Sequence, residues 1–517
     1  MNNNSSLIMR LKIFTLALLA AQSGIPALQA QNTLRPGSQE VRMLSMQDCI
    51  KMALEHNLDI EIQRYNPKIS SFLLNAAYGV WDPVLTASGA HSYAVAGESV
   101  TAQNIVIPPN TTDANSFTTG VSGVAPDGLT YNFSSTLGQR YGLLQGGDFR
   151  SASGSYGATT LSQPLLKNFW VDSNRLNIAV NKTQLRINEL GLRQQIITSV
   201  TTVKQAYYDL VADEMNVDVN IEAMRLAQQL LDNNKAQLQA GVMSPLDLKQ
   251  AQSQLATSKA NLLAAQAAEL TQENVLKALL SDSFAAWANV IVHPSDHLLA
   301  VPIVPDLQES WRDGVAKRPD LLQVKVNLEK IGLQLKYDKN QLFPDLELTG
   351  GYSLNGYSSI PSGNGQFSEV FNNWGDGNHP SYNYGASISF PLSNTAARNT
   401  RKADKMTREQ LLLTFKKTRD AALIAIQNDV RNIESNLEQV QATRDAEDYA
   451  QQALAAEQQK LAAGTSTIFN VIQLQSNLTT ARFAAIQALD NYNKSVDQLS
   501  SDTGTSIEKN HITLEAR

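Results

Sequence analysis

Cysteine is almost absent from this chain, since Cys49 is the only one in 517 residues. One thiol cannot form an intrachain disulfide or supply a zinc site built on several thiolates. Charged residues are sparse too, at 17%, and the net charge is -6 with no long run of Lys or Arg. Nucleic-acid binding needs clustered basic residues that displace counterions, so we expect no nucleic-acid partner.

The motifs of common catalytic and phosphate-binding sites are also missing. The sequence has no Gly-x-Ser-x-Gly turn, no glycine-rich phosphate loop carrying Lys and no His-Glu-x-x-His pattern. His293 and His297 have a spacing that can chelate a metal on a helix, but Pro294 and Pro302 favour a loop there. We therefore predict a protein that is not an enzyme, without catalytic residues, a metal site or a bound cofactor.

The first residues have the pattern of a targeting segment. Arg10 and Lys12 precede the apolar residues 13–21, and a stretch of small residues ends at Ala30. An apolar run this short does not span a bilayer, which takes about 20 residues. We predict a secretory signal peptide over residues 1–30, with an uncleaved anchor as the alternative. No run of 18 apolar residues follows it.

The rest of the chain repeats one plan twice. In each copy a short helical stretch leads to strands that end at a Pro-Leu pair, and a long helical tract then runs to a glycine. The equivalent positions are 46–79 and 315–341 for the short helical stretch, Pro164 and Pro391 for the strand ends, and Gly241 and Gly464 for the ends of the long tracts. Gly241 follows Pro164 by 77 residues and Gly464 follows Pro391 by 73, which favours an internal duplication.

This plan predicts how the chain is divided. After the signal peptide, residues 31–290 form the first repeat, 291–304 a linker, 305–504 the second repeat and 505–517 a C-terminal tail. A second helix is expected after each glycine, at about 246–280 and 468–503.

The long helical tracts have the period of a coiled coil. Apolar residues of the first tract recur in steps of three and four, with Glu214 interrupting the series; they are Val200, Val203, Tyr207, Leu210, Val217, Ile221 and Met224. A helix of some 65 residues is about 100 Å long, far longer than most helices of globular domains. Such length suggests a spacing role, which a free-standing coiled-coil rod would also explain.

The strand regions alternate apolar and polar residues. Residues 129–133, 346–354 and 382–390 place mainly Leu, Ile or aromatic side chains on one face and Glu347 with Thr, Ser, Asn or Gly on the other. A lipid-facing barrel strand has this pattern, and so does a half-buried strand of a soluble sandwich. The signal peptide and the adjoining long helices favour the barrel. We expect long loops at 95–114, 138–152 and 355–381, and the extra hairpin of the first copy leaves four or six strands per chain open.

Several motifs, in their order and duplicated spacing, resemble the TolC-like outer membrane efflux protein family over nearly the whole chain. They are Leu44-Ser45-Met46-Gln47-Asp48, Ala53-Leu54-Glu55-His56-Asn57, Gln163-Pro164-Leu165-Leu166, Ala206-Tyr207-Tyr208-Asp209-Leu210, Arg318-Pro319-Asp320-Leu321 and the two glycine turns. The resemblance implies a homotrimer, in which each chain of a typical member gives four strands to one twelve-stranded transmembrane β-barrel. Below it, coiled-coil-like helices form a long periplasmic α-helical barrel.

This resemblance also implies a location and a function. The protein is expected in the cell outer membrane, in contact with lipid, and docked on a periplasmic adaptor protein that is bound to an inner-membrane pump. The predicted function is the channel component of such a tripartite system, which gives passive exit to small molecules or polypeptides. The alternative is a periplasmic coiled-coil structural or adaptor protein without a membrane pore.

The helix reversals at the two glycines are the predicted docking tips. A chain that leaves a helix and turns back often adopts a positive φ, where glycine costs least. The residues assigned to the adaptor-docking tips are Gly241, Val242, Met243, Ser244, Gly464, Thr465 and Ser466.

In the family these tips narrow into a periplasmic gate held by ionic and polar contacts. The resemblance places Asp247 at a gate carboxylate, and it places Asn470 and Gln473 where acidic rings would lie. Ser466 stands where an arginine partner is expected, which argues for a weaker gate of amides. Asp247 beside Pro245 also suits a solvated cap near a helix start.

Overall fold

The computed structural model describes residues 40–100, 102–144, 147–239, 244–359, 365–375 and 379–512. The predicted signal peptide, residues 1–30, lies outside these ranges. The strands are β1 (Glu40–Leu44), β2 (Val84–Ala96), β3 (Ser99–Val100), β4 (Val106–Ile107), β5 (Asn110–Val124), β6 (Thr130–Leu144), β7 (Gly147–Pro164), β8 (Val290–Pro294), β9 (Asp345–Ser359) and β10 (Pro380–Ser389). The helices are α1 (Met46–His56), α2 (Leu58–Tyr78), α3 (Ser173–Gln239), α4 (Pro245–Leu280), α5 (Phe284–Trp287), α6 (Leu307–Lys317), α7 (Pro319–Asn340), α8 (Phe367–Gly375), α9 (Thr395–Ala462), α10 (Ile468–Asp502) and α11 (Ser506–Lys509).

Both short helical stretches are broken in two, where the sequence predicted one helix each. Asn57 has an extended backbone between α1 and α2, and its side chain accepts the amide N–H groups of Asp59 and Ile60 at 3.0 and 3.2 Å. In the second copy the break falls at Arg318, because Pro319 disfavours helical backbone before it and begins α7. The same break in both copies is consistent with an internal duplication.

The two long tracts each form one helix. Helix α3 has 67 residues and α9 has 68, as the coiled-coil period predicted. Val200, Val203, Tyr207 and Leu210 are each at most 1% exposed, whereas Ile221, later in the same apolar series, is 44% exposed in one chain. Among the described residues, no helix is both long and apolar enough to cross a membrane.

The helices pack side by side in a row. Near the strands the order is α2, α3, α7 and α9; towards the tips it is α4, α3, α10 and α9. Ion pairs tie α3 to α10, with Lys204 bound to Asp497 and Lys494 bound to Asp209. Helix α9 therefore ends the row both near the strands and towards the tips, and α6 packs against it between these regions.

The main core lies where α3 passes the small sheet of β1 and β8. Tyr207 is 1% exposed, and its hydroxyl donates to the Leu44 carbonyl at 3.0 Å and accepts the Asp296 amide at 3.2 Å. Apolar residues of α1, α4, α9 and α10 complete this core, so it fastens both copies of the plan to one another.

The six long strands form one antiparallel sheet in the order β10-β9-β7-β6-β5-β2. The sequence predicted loops at 95–114, 138–152 and 355–381, but strands β5, β6, β7 and β9 extend well into these segments. Their Gly, Ser and Asn content is typical of loops, while the neighbouring strands supply the backbone partners that keep the ladder regular.

Asp429 on α9 is buried beside the partly exposed Asp502, and we expect this carboxyl to make the stability of the helical part depend on pH. Burial, followed by the neighbouring Asp502 carboxyl, raises the pKa of Asp429 to about 8, against the opposing effect of Arg318. At pH values between the ordinary pKa of an aspartate and about 8, Asp429 therefore keeps a proton in the folded protein that it has lost in the unfolded chain. This contribution to stability is lost as the pH rises through that window, by at most about 1.4 kcal/mol per pH unit.

We expect Asp429→Asn to flatten the fall in thermal stability between pH 5 and pH 8. Circular dichroism melts of both proteins in detergent measure the difference. Asp420→Asn on the same helix is the matched control, because the Asp420 side chain is 47% exposed and pairs with Arg419. If the thermal stabilities of the wild type and of Asp429→Asn fell equally with pH, Asp429 would not be the source of the pH dependence.

Candidate functional site

One face of the six-stranded sheet carries a largely apolar row of side chains that runs from edge to edge. Cross-strand partners form a row on it through Leu85, Val121, Phe133, Thr159, Tyr352 and Tyr382, one from each strand. Large apolar side chains on this face are between 38 and 85% exposed; they are Leu85, Tyr93, Phe117, Phe133, Tyr156, Leu161, Leu348, Tyr352, Tyr382, Tyr384 and Ile388. We call this surface the apolar face.

The opposite face is lined by small polar residues. Its corresponding row runs through Asn383, Gly351, Thr160, Asn132, Ser122 and Val84. An exposed apolar face backed by a polar one is the pattern of a sheet with lipid on one side and water on the other. The period-two alternation predicted for residues 129–133, 346–354 and 382–390 is therefore confirmed in β6, β9 and β10.

Helix α8 lies on the apolar face at the end of the sheet far from the long helices. The sequence predicted a loop here. Trp374 packs 5.5 Å from Tyr156 between ring centroids, and its indole N–H donates to the Gly154 carbonyl at 3.3 Å. Val370 is fully buried, and a Cβ on Gly356 would lie 2.5 Å from its carbonyl oxygen. Glycine is required at 356 because the helix comes this close to the strand.

The second tip is built as the sequence predicted, around a glycine at positive φ. Gly464 has φ +75°, its amide donates to the Leu461 carbonyl at 3.0 Å, and the Thr465 amide donates to the Lys460 carbonyl at 2.9 Å. These two bonds are the Schellman pattern, which satisfies carbonyl groups left open at the end of α9.

Glu457 organises this tip, and sequence reasoning missed it. Its carboxylate accepts hydrogen bonds from the hydroxyl of Ser466 and from the amide of Asn470 at 3.4 Å, and it pairs with Lys460 at 3.2 Å. The Ser466 hydroxyl is the main reason why the pKa of Glu457 is lowered. A charged group thus stands beside the amide Asn470, whereas the Gln473 side chain donates to Asn477 at 3.1 Å.

Most of the first tip, Gly241, Val242 and Met243, lies outside the described residues. Ser244 caps α4 by accepting the Leu246 amide at 3.2 Å. Asp247 follows in the first turn, where a carboxylate interacts favourably with the helix N-terminus.

His293 lies on strand β8, so the prediction of a loop there is wrong. Its strand alternates buried and half-buried residues, which the flanking prolines concealed. The ring Nδ1 lies 2.7 Å from Glu214, and Glu269 completes a group whose possible ligand atoms lie within 4.8 Å of one another. Burial, and then the Glu214 charge, raise the pKa of Glu269. His297 is not part of this group, and the hydrogen bond between His293 and Glu214 explains the contact without a metal.

Comparison with known proteins places these features in a family. The family model described as outer membrane efflux protein matches residues 128–281 and 313–505. The pyoverdine export outer membrane protein OpmQ of Pseudomonas aeruginosa is 25% identical over 174 residues, 34% of each chain. The outer membrane efflux protein BepC of Brucella suis biovar 1 is 23% identical over 333 residues, 63% of this chain and 67% of the relative. The chain thus spans a third of one relative's length and two thirds of the other's.

Solved structures share the fold over almost the whole chain. The outer-membrane channel OprN superposes with a TM-score of 0.66 at 14% identity, covering 89% of this chain and 90% of that one. The Campylobacter jejuni CmeC channel gives 0.66 at 14% identity, with 91% and 90% covered. The VceC protein of Vibrio cholerae gives 0.63 at 15% identity, with 89% and 96% covered. At these identities the likeness concerns the fold.

Proposed function

Because this chain belongs to the outer membrane efflux protein family, we propose that it forms the outer-membrane duct of a tripartite export system. The duct gives passive exit to small molecules or polypeptides, which an inner-membrane pump delivers through a periplasmic adaptor. One observation carries this proposal: the sheet with its apolar face continues directly into two helices of 67 and 68 residues. The sheet lies in the outer membrane, against lipid, and the helices extend into the periplasm.

A homotrimer is the proposed assembly. Helix α2 lies at the open edge of the row near the strands, and it exposes a stripe of apolar residues between 49 and 71%: Leu58, Ile62, Tyr65, Ile69 and Phe72. Helix α9, at the other edge, exposes Met406 and Leu413 by 64 and 69%. Apolar stripes at both edges suit contact between neighbouring copies, and three copies is the number that the family resemblance implies.

The tips are the proposed contact with the adaptor. The proposed contact lies at the ends of the helical hairpins far from the sheet. It comprises Ser244 in the first tip and Gly464, Thr465 and Ser466 in the second. We include Gly241, Val242 and Met243 because they directly precede Ser244 in the sequence. Asp247, Asn470 and Gln473 are the proposed lining of the gate. The charge of Glu457 beside Asn470 supports a gate that is more polar than a ring of amides alone.

Membrane fractionation tests this proposal. We expect the protein in the outer-membrane fraction, as a trimer that dissociates on gels only after heating, and loss of one export phenotype when its gene is deleted. A soluble periplasmic monomer would falsify the duct and favour a coiled-coil spacer instead.

Phe72→Asp is expected to prevent assembly of the trimer. Phe72 is 71% exposed in one chain, and a carboxylate there would be desolvated in the contact that we propose. Native gels and light scattering should find monomers, with helix content unchanged. Phe72→Leu is the matched control and should assemble normally; trimers of Phe72→Asp would exclude the α2 stripe as the contact.

A further inference from the structure

The sheet holds six strands from one chain, where a typical member of the resembled family gives four. We infer that all six strands form the membrane wall, so that three copies close a barrel of eighteen strands, joined between copies through β2 and β10. This inference rests on the proposed trimeric duct. It concerns the strand number, and therefore the width, of the membrane part.

The extra hairpin, β5 and β6, lies inside the sheet. Strand β5 pairs with β2 along the whole of β2, from Val84 opposite Ser122 to Ala96 opposite Asn110. Strand β6 pairs with β5 on one side and β7 on the other. A hairpin folded over the mouth of a four-stranded unit would leave β2 next to β7, which is not the pairing found here.

The same hairpin carries its part of the apolar face. Phe117 on β5 and Phe133 on β6 are 49 and 47% exposed, on the same side as Tyr352 and Tyr382. Both strands have 15 residues, and a membrane strand needs about 9–11. A plug surrounded by water would not present aromatic side chains on the lipid side.

The turn between β5 and β6 is fixed at the junction of sheet and helices. Gln163 at the end of β7 donates through its side-chain amide to the Asp127 carbonyl at 3.2 Å. Gly128 has φ +87°, and a Cβ there would lie 3.5 Å from the Asn168 carbonyl oxygen. The hairpin therefore begins at the same level as the other strands and spans the full height of the sheet.

The two edges of the sheet suit a second copy of the same chain. An even number of strands makes β2 run away from the helices and β10 run towards them, so an edge-to-edge contact between copies is antiparallel. Every residue of both strands is exposed in one chain. Their unpaired backbone groups cannot remain open in lipid, because each costs several kcal/mol there.

A wider channel follows from this count. The diameter of a closed barrel grows roughly linearly with strand number, so a barrel of eighteen strands is about 1.5 times as wide as one of twelve, and its lumen is wider accordingly. Serine, threonine, asparagine and glycine dominate the polar face, so the lumen wall carries little charge. Such a wall suits bulky cargo without strong ion selectivity.

Electron cryo-microscopy of the full-length trimer in lipid nanodiscs counts the strands directly. We expect eighteen around the ring. Twelve strands, with β5 and β6 outside the wall, would overturn the inference and leave the proposed duct intact. Absence of a trimer in the membrane would instead overturn the proposed function.

Disulfide trapping in native membranes tests the pairing independently. Ala87→Cys with Thr119→Cys joins directly opposed positions of β2 and β5, and we expect it to oxidise within one chain. Ala87→Cys with Thr118→Cys, which faces the other side, is the matched control and should not. Cys49 will not interfere, since it is fully buried and burial raises the pKa of its thiol to about 12.

The competing arrangement makes the opposite prediction for a third pair. If the hairpin lay outside the wall, β2 would pair with β7, and Leu85→Cys, which shares a cross-strand row with Thr159, would oxidise with Thr159→Cys instead. In the six-stranded sheet β5 and β6 stand between these two positions. Efficient trapping of Leu85→Cys with Thr159→Cys would therefore refute the eighteen-stranded wall.

Discussion

Replacing Arg318 with alanine is expected to lower the free energy of unfolding by about 1.5–3 kcal/mol, the range for hydrogen bonds between charged groups that are partly shielded from water. The Arg318 side chain is 18% exposed. Its guanidinium donates to Asp320 through Nε and Nη2 at 3.1 and 2.9 Å, and to Asp502 through Nη1 at 2.8 Å. It thereby joins the start of α7 to the end of α10.

The loss is large because carboxylates remain behind. Without Arg318, Asp502 keeps no guanidinium partner and lies beside Asp429, whose pKa is already raised by burial. Two neighbouring carboxyl groups cannot both ionise in a poorly solvated site, so one must bind a proton or draw in water. We therefore expect the destabilisation by Arg318→Ala to be greater at high pH than at low pH.

Unfolding of the detergent-solubilised protein by guanidinium chloride, followed by circular dichroism, measures the loss of free energy of unfolding. Arg312→Ala is the matched control on α6, because the Arg312 side chain is 72% exposed and such pairs contribute little. Arg318→Lys should fall between the two, since an ammonium group cannot donate to both carboxylates in a planar fork. Equal stabilities for the Arg318→Ala and Arg312→Ala proteins would contradict this account.

The long helices and the alternation of the strands could be predicted from the sequence, because each follows from a local period. The steps of three and four from Val200 to Leu210 predicted the buried side of α3, and the comparisons confirm the family and the outer-membrane location. The breaks at Asn57 and Arg318 were missed, although the cap at Asn57 and Pro319 were visible signals. Each break is a single residue with extended backbone between two helices, too short to interrupt a helical reading of the sequence.

What the sequence left open depends on contacts between distant segments. The parts of β6 and β7 that lie far from the long helices lack apolar alternation. They form strands because they pair with each other and with the neighbouring strands. Whether β5 and β6 join the sheet was undecided for the same reason. Glu457 lies nine residues before Ser466, and only the reversal at Gly464 brings their side chains together.

Gly464→Val is expected to reduce export by about tenfold or more while leaving trimers in the outer membrane. A non-glycine residue in the left-handed conformation costs about 1–2 kcal/mol, and β-branched side chains tolerate it least. The φ of Gly464 is +75°, and a Cβ there would meet no atom within 4 Å. The penalty therefore comes from the backbone itself, and it displaces Ser466 and Glu457 from their present contact.

A series of substitutions at Gly464 separates the cost of positive φ from any other consequence of replacing glycine. Asparagine adopts positive φ more readily than other non-glycine residues, so Gly464→Asn should retain most export, with Gly464→Ala between Asn and Val. Accumulation of a pump substrate in cells, measured beside the trimer level in outer membranes, gives both readouts. Equal export by the Gly464→Val and Gly464→Asn variants would contradict the assignment of Gly464 to the docking tip. If export and the amount of trimer fell together, the second tip would be needed for assembly of the trimer. Gly464 follows the end of α9 that is far from the sheet, so such a loss would not come from damage to the sheet itself.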